Sequence, residues 1–74
     1  MDIGTEIGTP VKAAADGRVI FSGWKDAYGK IIVIQHKNDY ITVYAHNSEL
    51  LVDENEVVKK GQKIALSGMT GATT

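Results

Sequence analysis

The chain has 74 residues, with eight Lys and Arg against nine Asp and Glu, a net charge of −1 and no cysteine. This length supports one domain at most, and the absence of cysteine excludes a disulfide or a thiolate metal site. No apolar run approaches the roughly 18 residues of a membrane-spanning helix, and the Lys59–Lys60 pair is the longest basic run. We therefore expect a single domain over residues 1–74, with no membrane span and no nucleic-acid partner.

Short apolar segments, alternating or continuous and separated by glycine-containing turns, dominate the chain and are typical of β-strands. They predict an all-β fold, a small sandwich or barrel of short antiparallel strands. A glycine-bounded loop is predicted over residues 23–29, and a turn-rich stretch over residues 47–55 with one helical turn near 48–51. The predicted strands in chain order are residues 11–15, 18–22, 30–35, 40–46, 56–58 and 62–67, with turns at 16–17, 37–39 and 60–61.

Two aromatic residues, Trp24 and Tyr28, fall in the glycine-bounded loop. They could form a stacking surface for a sugar or a peptide, or they could cap the open end of a small barrel. Of the two roles we favour the cap.

The two histidines end neighbouring predicted strands, His36 before the hairpin tip and His46 at the far end of the partner strand. His46 lies about six residues from the tip, or roughly 20 Å at about 3.3 Å per residue, so we do not expect the pair to share a metal ion. His46 is predicted on the polar strand face with Thr42 and Tyr44. There it could act as a general base near neutral pH, or it could be a half-buried histidine with a structural hydrogen bond.

The carboxylates give weaker indications of a functional site than the histidines do. By position alone, Asp2 would be a charge on a frayed terminus. Asp16 and Asp39 are predicted turn formers whose side chains bond nearby backbone amides. The acidic residues between 49 and 56 lack the alternating oxygen ligands and central glycine of a calcium loop, so we expect them to be solvated.

Five segments in fixed order form a more specific pattern than any of them alone: Asp2-Ile3-Gly4; residues 8–11 with Ala13, Gly17 and Val19; Gly29 with Val33 and His36; residues 42–46; and residues 58–64 followed by 67–71. In this order they resemble the lysostaphin-type zinc endopeptidases, which cut peptide cross-links of bacterial peptidoglycan. The resemblance spans essentially the whole chain. It implies a barrel-sandwich hybrid fold, peptidoglycan peptides as the partner, and a location in the cell wall, the periplasm or outside the cell, although the first residues lack the basic start and apolar middle of a signal peptide.

In the resembled family, zinc is held by a histidine, by an aspartate four residues later and by the second histidine of a His-x-His pair. Asp2 matches the aspartate ligand, which replaces the frayed-terminus interpretation. His46 matches the catalytic histidine of a Tyr-x-His motif, which orients or activates the zinc-bound water, whereas His36 matches a position that is not a ligand. The first histidine ligand would precede Met1 and the His-x-His pair would follow Thr74, so the resemblance implies a domain that is incomplete at both ends.

A catalytic zinc needs three protein ligands and an open position for water. We therefore expect this chain alone to bind no zinc and to have no peptidase activity, as a fragment or truncated form of a zinc metalloendopeptidase. An alternative is a non-catalytic wall-binding or structural domain with the same fold. A biotinyl or lipoyl carrier domain is a further alternative, although the Lys37 tip lacks the expected neighbours. An uncovered sheet edge is expected to favour a homo-oligomer.

Overall fold

The computed structural model describes residues 8–68, which form a six-stranded antiparallel sheet with the strand order β1-β6-β4-β3-β2-β5. Within this range the helical structure is a single 3₁₀ turn at Lys37–Asp39, and no helix there could cross a membrane. The predicted all-β fold of short antiparallel strands is confirmed. The strands are β1 (Pro10–Lys12), β2 (Gly17–Lys25), β3 (Gly29–Gln35), β4 (Ile41–Leu50), β5 (Val57–Val58) and β6 (Lys63–Ser67).

The hydrophobic core lies on the inner face of the curled sheet. Ile32 and Ile34 of β3 are fully buried there, and they pack in one cluster with Val19 of β2 and Ile64 of β6. On the outer face of β3, Ile31 is buried as well. The burial on both faces that the run of β-branched residues predicts is thus confirmed at Ile31, whereas Val33 on the same outer face is only half-buried.

Irregular pairing gives the sheet its curl. Extra residues interrupt the register at four of the five strand pairs, including Ile20 in β2 and Ser48 in β4. Such β-bulges bend a strand and increase its twist. The curl brings the ends of the sheet together, so that the amide of Gly61, after the edge strand β5, donates to the carbonyl of Ala13, after the edge strand β1.

Two predicted loops are wrong. The loop predicted over residues 23–29 is a tight hairpin turn at residues 26–28, because β2 continues through Trp24 and β3 begins at Gly29. The helical turn predicted near residues 48–51 is absent from the structure, because β4 continues to Leu50, which pairs with Ala65 of β6. In both cases pairing with a neighbouring strand extends a strand beyond the point where its apolar alternation ends.

Asp16 also differs from its prediction. Its carboxylate accepts a 2.7 Å hydrogen bond from the amide of Lys60, 44 residues away, rather than from an amide of its own turn. The side chain therefore ties the Asp16–Gly17 turn to the turn that follows β5. Asp39 is in the hairpin tip as predicted, where its carboxylate accepts from the side-chain amide of Gln35 at 3.0 Å.

Candidate functional site

His46 lies in a β-bulge of β4, where the register places Ala45 and His46 together opposite Ile31 of β3. Its backbone has a φ of 60°, in the left-handed region that costs a non-glycine residue roughly 1–2 kcal/mol. Of the non-glycine residues between 8 and 68 with positive φ, His46 is the one within a strand. The other four lie in turns: Ala27, Asn38, Asp39 and Asn55.

Two kinds of hydrogen bond hold this bulge. The main-chain amide of His46 donates to the carbonyl of Tyr28 at 2.8 Å. The side-chain amide of Asn47, which is 2% exposed, donates to the carbonyl of Tyr44 at 2.8 Å and to that of Lys30 at 3.0 Å. Strained backbone that the surrounding structure holds in place, as here within a strand, tends to cluster at functional sites.

The bulge changes which residue of β4 faces inward. Tyr44 pairs with Ile32, and the next inward position, opposite Lys30, is taken by Asn47 rather than His46. The unbroken alternation predicted over residues 40–46 is therefore wrong beyond Tyr44, whereas the role of His46 stays a prediction. His46 remains half-buried, at the junction of β4 with the β2–β3 turn.

His36 has a structural role at the opposite end of the β3–β4 hairpin. Its Nδ1 lies 2.7 Å from the carbonyl oxygen of Asp16, and its Nε2 lies 2.8 Å from the hydroxyl oxygen of Thr42. The Thr42 hydroxyl donates to the Tyr44 oxygen at 2.9 Å, and that oxygen also accepts from the amide of Ala14 at 2.9 Å. This polar chain gives hydrogen-bond partners to Thr42 and Tyr44, which face inward, whereas Val43 between them is 54% exposed on the outer face.

The donor set of the described residues does not fit a zinc site. His36 and His46 are the chain's two histidines, and the β3–β4 register places them near opposite ends of the hairpin. Between residues 8 and 68, His, Cys, Asp and Glu form no group of three or more that could hold a metal ion. Asp2, the predicted ligand, lies outside the described residues, so its role stays a prediction.

The aromatic residues of the β2–β3 hairpin do not cap the core. Trp24 is 58% exposed and Tyr28 is 47% exposed, so the cap interpretation is wrong. Strand alternation places Trp24 on the inner face with Ser22, whose hydroxyl donates to the carbonyl of the core residue Val52. Tyr28 instead lines a shallow outer concavity with Phe21. The two rings therefore cannot form one joint platform.

A row of paired residues crosses the inner face beside the bulge. Trp24 pairs with Lys30, Lys30 with Asn47, and Asn47 with Ser67. At about 4.8 Å per strand, Trp24 lies roughly 10 Å from Asn47 along this row. The Lys30 ammonium donates to the carbonyl of Ser48 at 3.0 Å. We call the paired residues Trp24, Lys30, Asn47 and Ser67 the inner row. Sequence reasoning missed Lys30 and Asn47, since only the register brings them together.

All 74 residues match a family model described as peptidase family M23. The chain belongs to this family. The lipoprotein NlpD of Yersinia enterocolitica is 46% identical to this M23 chain over 74 residues, covering 99% of the chain and 76% of the relative. The murein hydrolase activator NlpD of Escherichia coli is 45% identical over 75 residues, covering all of the chain and 20% of the relative.

Solved M23 structures share the fold. The catalytic domain of lysostaphin from Staphylococcus simulans has a TM-score of 0.90 and 36% identity, covering 95% of this chain and 54% of its own. A zinc-containing peptidase from Vibrio cholerae has a TM-score of 0.90 and 44% identity, covering 95% of this chain and 22% of its own. The resemblance to lysostaphin-type enzymes is thereby confirmed at the level of family and fold.

Proposed function

We propose that this M23 chain is directed at the peptides of bacterial peptidoglycan, in the cell wall or periplasm, and that by itself it binds them without hydrolysis. The observation that supports the absence of hydrolysis is the separation of the two histidines of the chain. His36 has both ring nitrogens engaged at the hairpin tip, which leaves His46 as the one imidazole at the bulge. One imidazole with one carboxylate falls short of the three protein ligands of a catalytic zinc.

In a complete zinc metalloendopeptidase centre this chain would contribute two residues. We propose Asp2 as a metal ligand and His46 as the group that exchanges a proton beside the metal. When bound, zinc supplies Lewis-acid polarisation of a peptide carbonyl. The support is the match of both positions to the lysostaphin-type pattern, together with the zinc-containing relative of known structure. The remaining ligands would come from chain outside these 74 residues.

A second candidate is a non-catalytic module that acts through another enzyme. The relative from Escherichia coli is named a murein hydrolase activator and is 45% identical over the whole of this chain. In this alternative, the chain would bind peptidoglycan or a hydrolase and would not itself cut. The M23 match gives no support to the biotinyl or lipoyl carrier alternative.

The experiment uses purified peptidoglycan carrying a covalent dye. The full chain is incubated with it, with and without added zinc, and both pelleted protein and released dye are measured. We expect the protein in the pellet and no dye in solution. Zinc-dependent release would refute the non-hydrolytic proposal, and protein that stays in solution would refute peptidoglycan as the target. Faster release by an added murein hydrolase would favour the activator alternative.

Self-association through a sheet edge also stays a proposal. Among the described strands, β1 and β5 form the edges, and both are short. Val57 of β5 is 64% exposed. If this edge pairs with a second copy, Val57→Lys lowers the mass measured by analytical ultracentrifugation, whereas Val43→Lys on the outer face of β4 does not. A monomer at all concentrations would refute the proposal.

A further inference from the structure

Asn47 follows the strained residue of β4 directly and is 2% exposed, so its polar side chain lies in the sheet interior. Its Nδ2 group reaches two carbonyls on either side of the bulge: Tyr44 of the same strand at 2.8 Å, and Lys30 of β3 at 3.0 Å. We propose that Asn47 is a positioning residue that fixes the backbone of His46, and with it the direction of the imidazole.

The chemistry of the side chain suits this role. A primary amide carries two N–H donors on one nitrogen, so Asn47 can serve both carbonyls at once. A hydroxyl has one donor, and a carboxylate has none to offer. An apolar side chain would leave both carbonyls without this partner in a buried place, which is unfavourable. The position therefore selects for the amide itself and not for polarity or size in general.

The two hydrogen bonds that Asn47 donates to the carbonyls of Tyr44 and Lys30, which we call the clamp, act at the place where the backbone is strained. The carbonyl of Tyr44 ends the regular part of β4, and Lys30 is the β3 residue paired with Asn47. Holding the two together fixes the chain length that Ala45 and His46 must span. The amide of His46 is then directed at the carbonyl of Tyr28, with an observed distance of 2.8 Å. Without the clamp, His46 can relax toward the extended region, which a β-strand residue normally adopts.

The inference rests on the proposed function only for what His46 does, because the positioning itself is a matter of geometry. It is tested on the full chain by nuclear magnetic resonance with Asn47→Ala and Asn47→Asp. Ser22→Ala is the matched control, since it removes one 2.7 Å hydrogen bond to a buried carbonyl at a different place on the inner face. His36, at the other end of the hairpin, is an internal reference.

We expect both Asn47 variants to accelerate hydrogen exchange at the His46 amide by at least about tenfold relative to Ser22→Ala. The imidazole carbon and proton shifts of His46 should move, and those of His36 should not. Equal exchange in the variants and the control, with unmoved His46 signals, would overturn the proposal. Since these readouts need no peptidoglycan, a failed binding assay cannot be mistaken for failed positioning.

A measurement on the unsubstituted chain covers the case in which neither Asn47 variant folds. The Asn47 side-chain amide protons should exchange slowly, and they should show scalar couplings across the hydrogen bonds to the carbonyl carbons of Tyr44 and Lys30. Rapid exchange of these protons, with no coupling to either carbonyl, would overturn the proposal.

Discussion

The amide of His46 donates a 2.8 Å hydrogen bond to the carbonyl of Tyr28, which joins the bulge of β4 to the β2–β3 turn. The turn is itself tightened by a positive φ at Ala27 and at Gly29. The conformation of the candidate site residue therefore depends on a hairpin that is far from it in sequence. The effects of substitutions in the turn and in the bulge on the free energy of unfolding should consequently be non-additive.

The left-handed backbone of His46 predicts an unusual order of variant stabilities. Because glycine adopts a φ of 60° without the Cβ penalty, His46→Gly should be more stable than His46→Ala by about 1 kcal/mol in urea unfolding. At an ordinary strand position the order is reversed, since glycine weakens a strand. An alanine variant that equals or exceeds the glycine variant in stability would contradict the assigned backbone.

The close approach at the Asp16–Gly17 turn predicts that Gly17→Ala destabilises strongly. A Cβ there would lie 2.5 Å from the carbonyl oxygen of Gln35 and 2.7 Å from a methyl of Ile34. Relieving such contacts requires backbone movement, and we expect a loss of about 3 kcal/mol in the free energy of unfolding.

Gly23→Ala is the matched control for this loss. Its Cβ would meet the Phe21 ring at 3.5 Å, an ordinary contact. We expect a change within about 0.5 kcal/mol in the same unfolding experiment. Similar losses for both glycines would mean that the turn is not packed against β3 as described.

Trp24 is predicted to contact peptidoglycan, because it is the exposed aromatic end of the inner row. Trp24→Ala should weaken binding in the pelleting assay by about tenfold, or about 1.4 kcal/mol. Tyr40→Ala removes another exposed aromatic ring, at the far end of the hairpin, and should leave binding unchanged. Equal effects of the two substitutions on binding would contradict a specific contact between Trp24 and peptidoglycan.

The polar chain that begins at His36 is predicted to stabilise the fold without taking part in binding. Tyr44→Phe deletes the oxygen that joins Thr42 to the amide of Ala14. The expected loss is about 1–2 kcal/mol in thermal unfolding, with peptidoglycan binding intact at temperatures where the variant is folded. Loss of peptidoglycan binding in a folded variant would contradict the prediction that this network only stabilises the fold.

The pattern of apolar and polar residues predicts a strand or a turn correctly where the pairing of the strands is regular. The strand predicted over residues 30–35 is β3 to within one residue, and the tip at residues 37–39 is the observed 3₁₀ turn. The alternation of β4 was predicted as far as Tyr44. Beyond that residue a bulge shifts the phase, and a bulge is set by pairing with β3 rather than by the residues of β4 themselves.

The candidate site could be predicted only in part for the same reason. His46 is selected by resemblance alone, since as a lone histidine it is better explained as a half-buried residue with a structural hydrogen bond. The sequence predicts a loop boundary at Gly23, whereas Gly23 lies within β2 beneath the Phe21 ring. This placed Trp24 in a loop instead of on the inner face. Asn47 gives no signal in the sequence, because its role depends on the carbonyl of Lys30 in the neighbouring strand and on a bulge that the residues of β4 do not predict.

The central claim, that this chain alone does not form a catalytic zinc centre, is tested most directly by titrating zinc into the full chain in a calorimeter. We expect no saturable binding at one zinc per chain, and no difference between the unsubstituted chain and His46→Ala. Tight binding of one zinc per chain that is lost in His46→Ala would contradict it, and would show that these 74 residues complete a metal site by themselves.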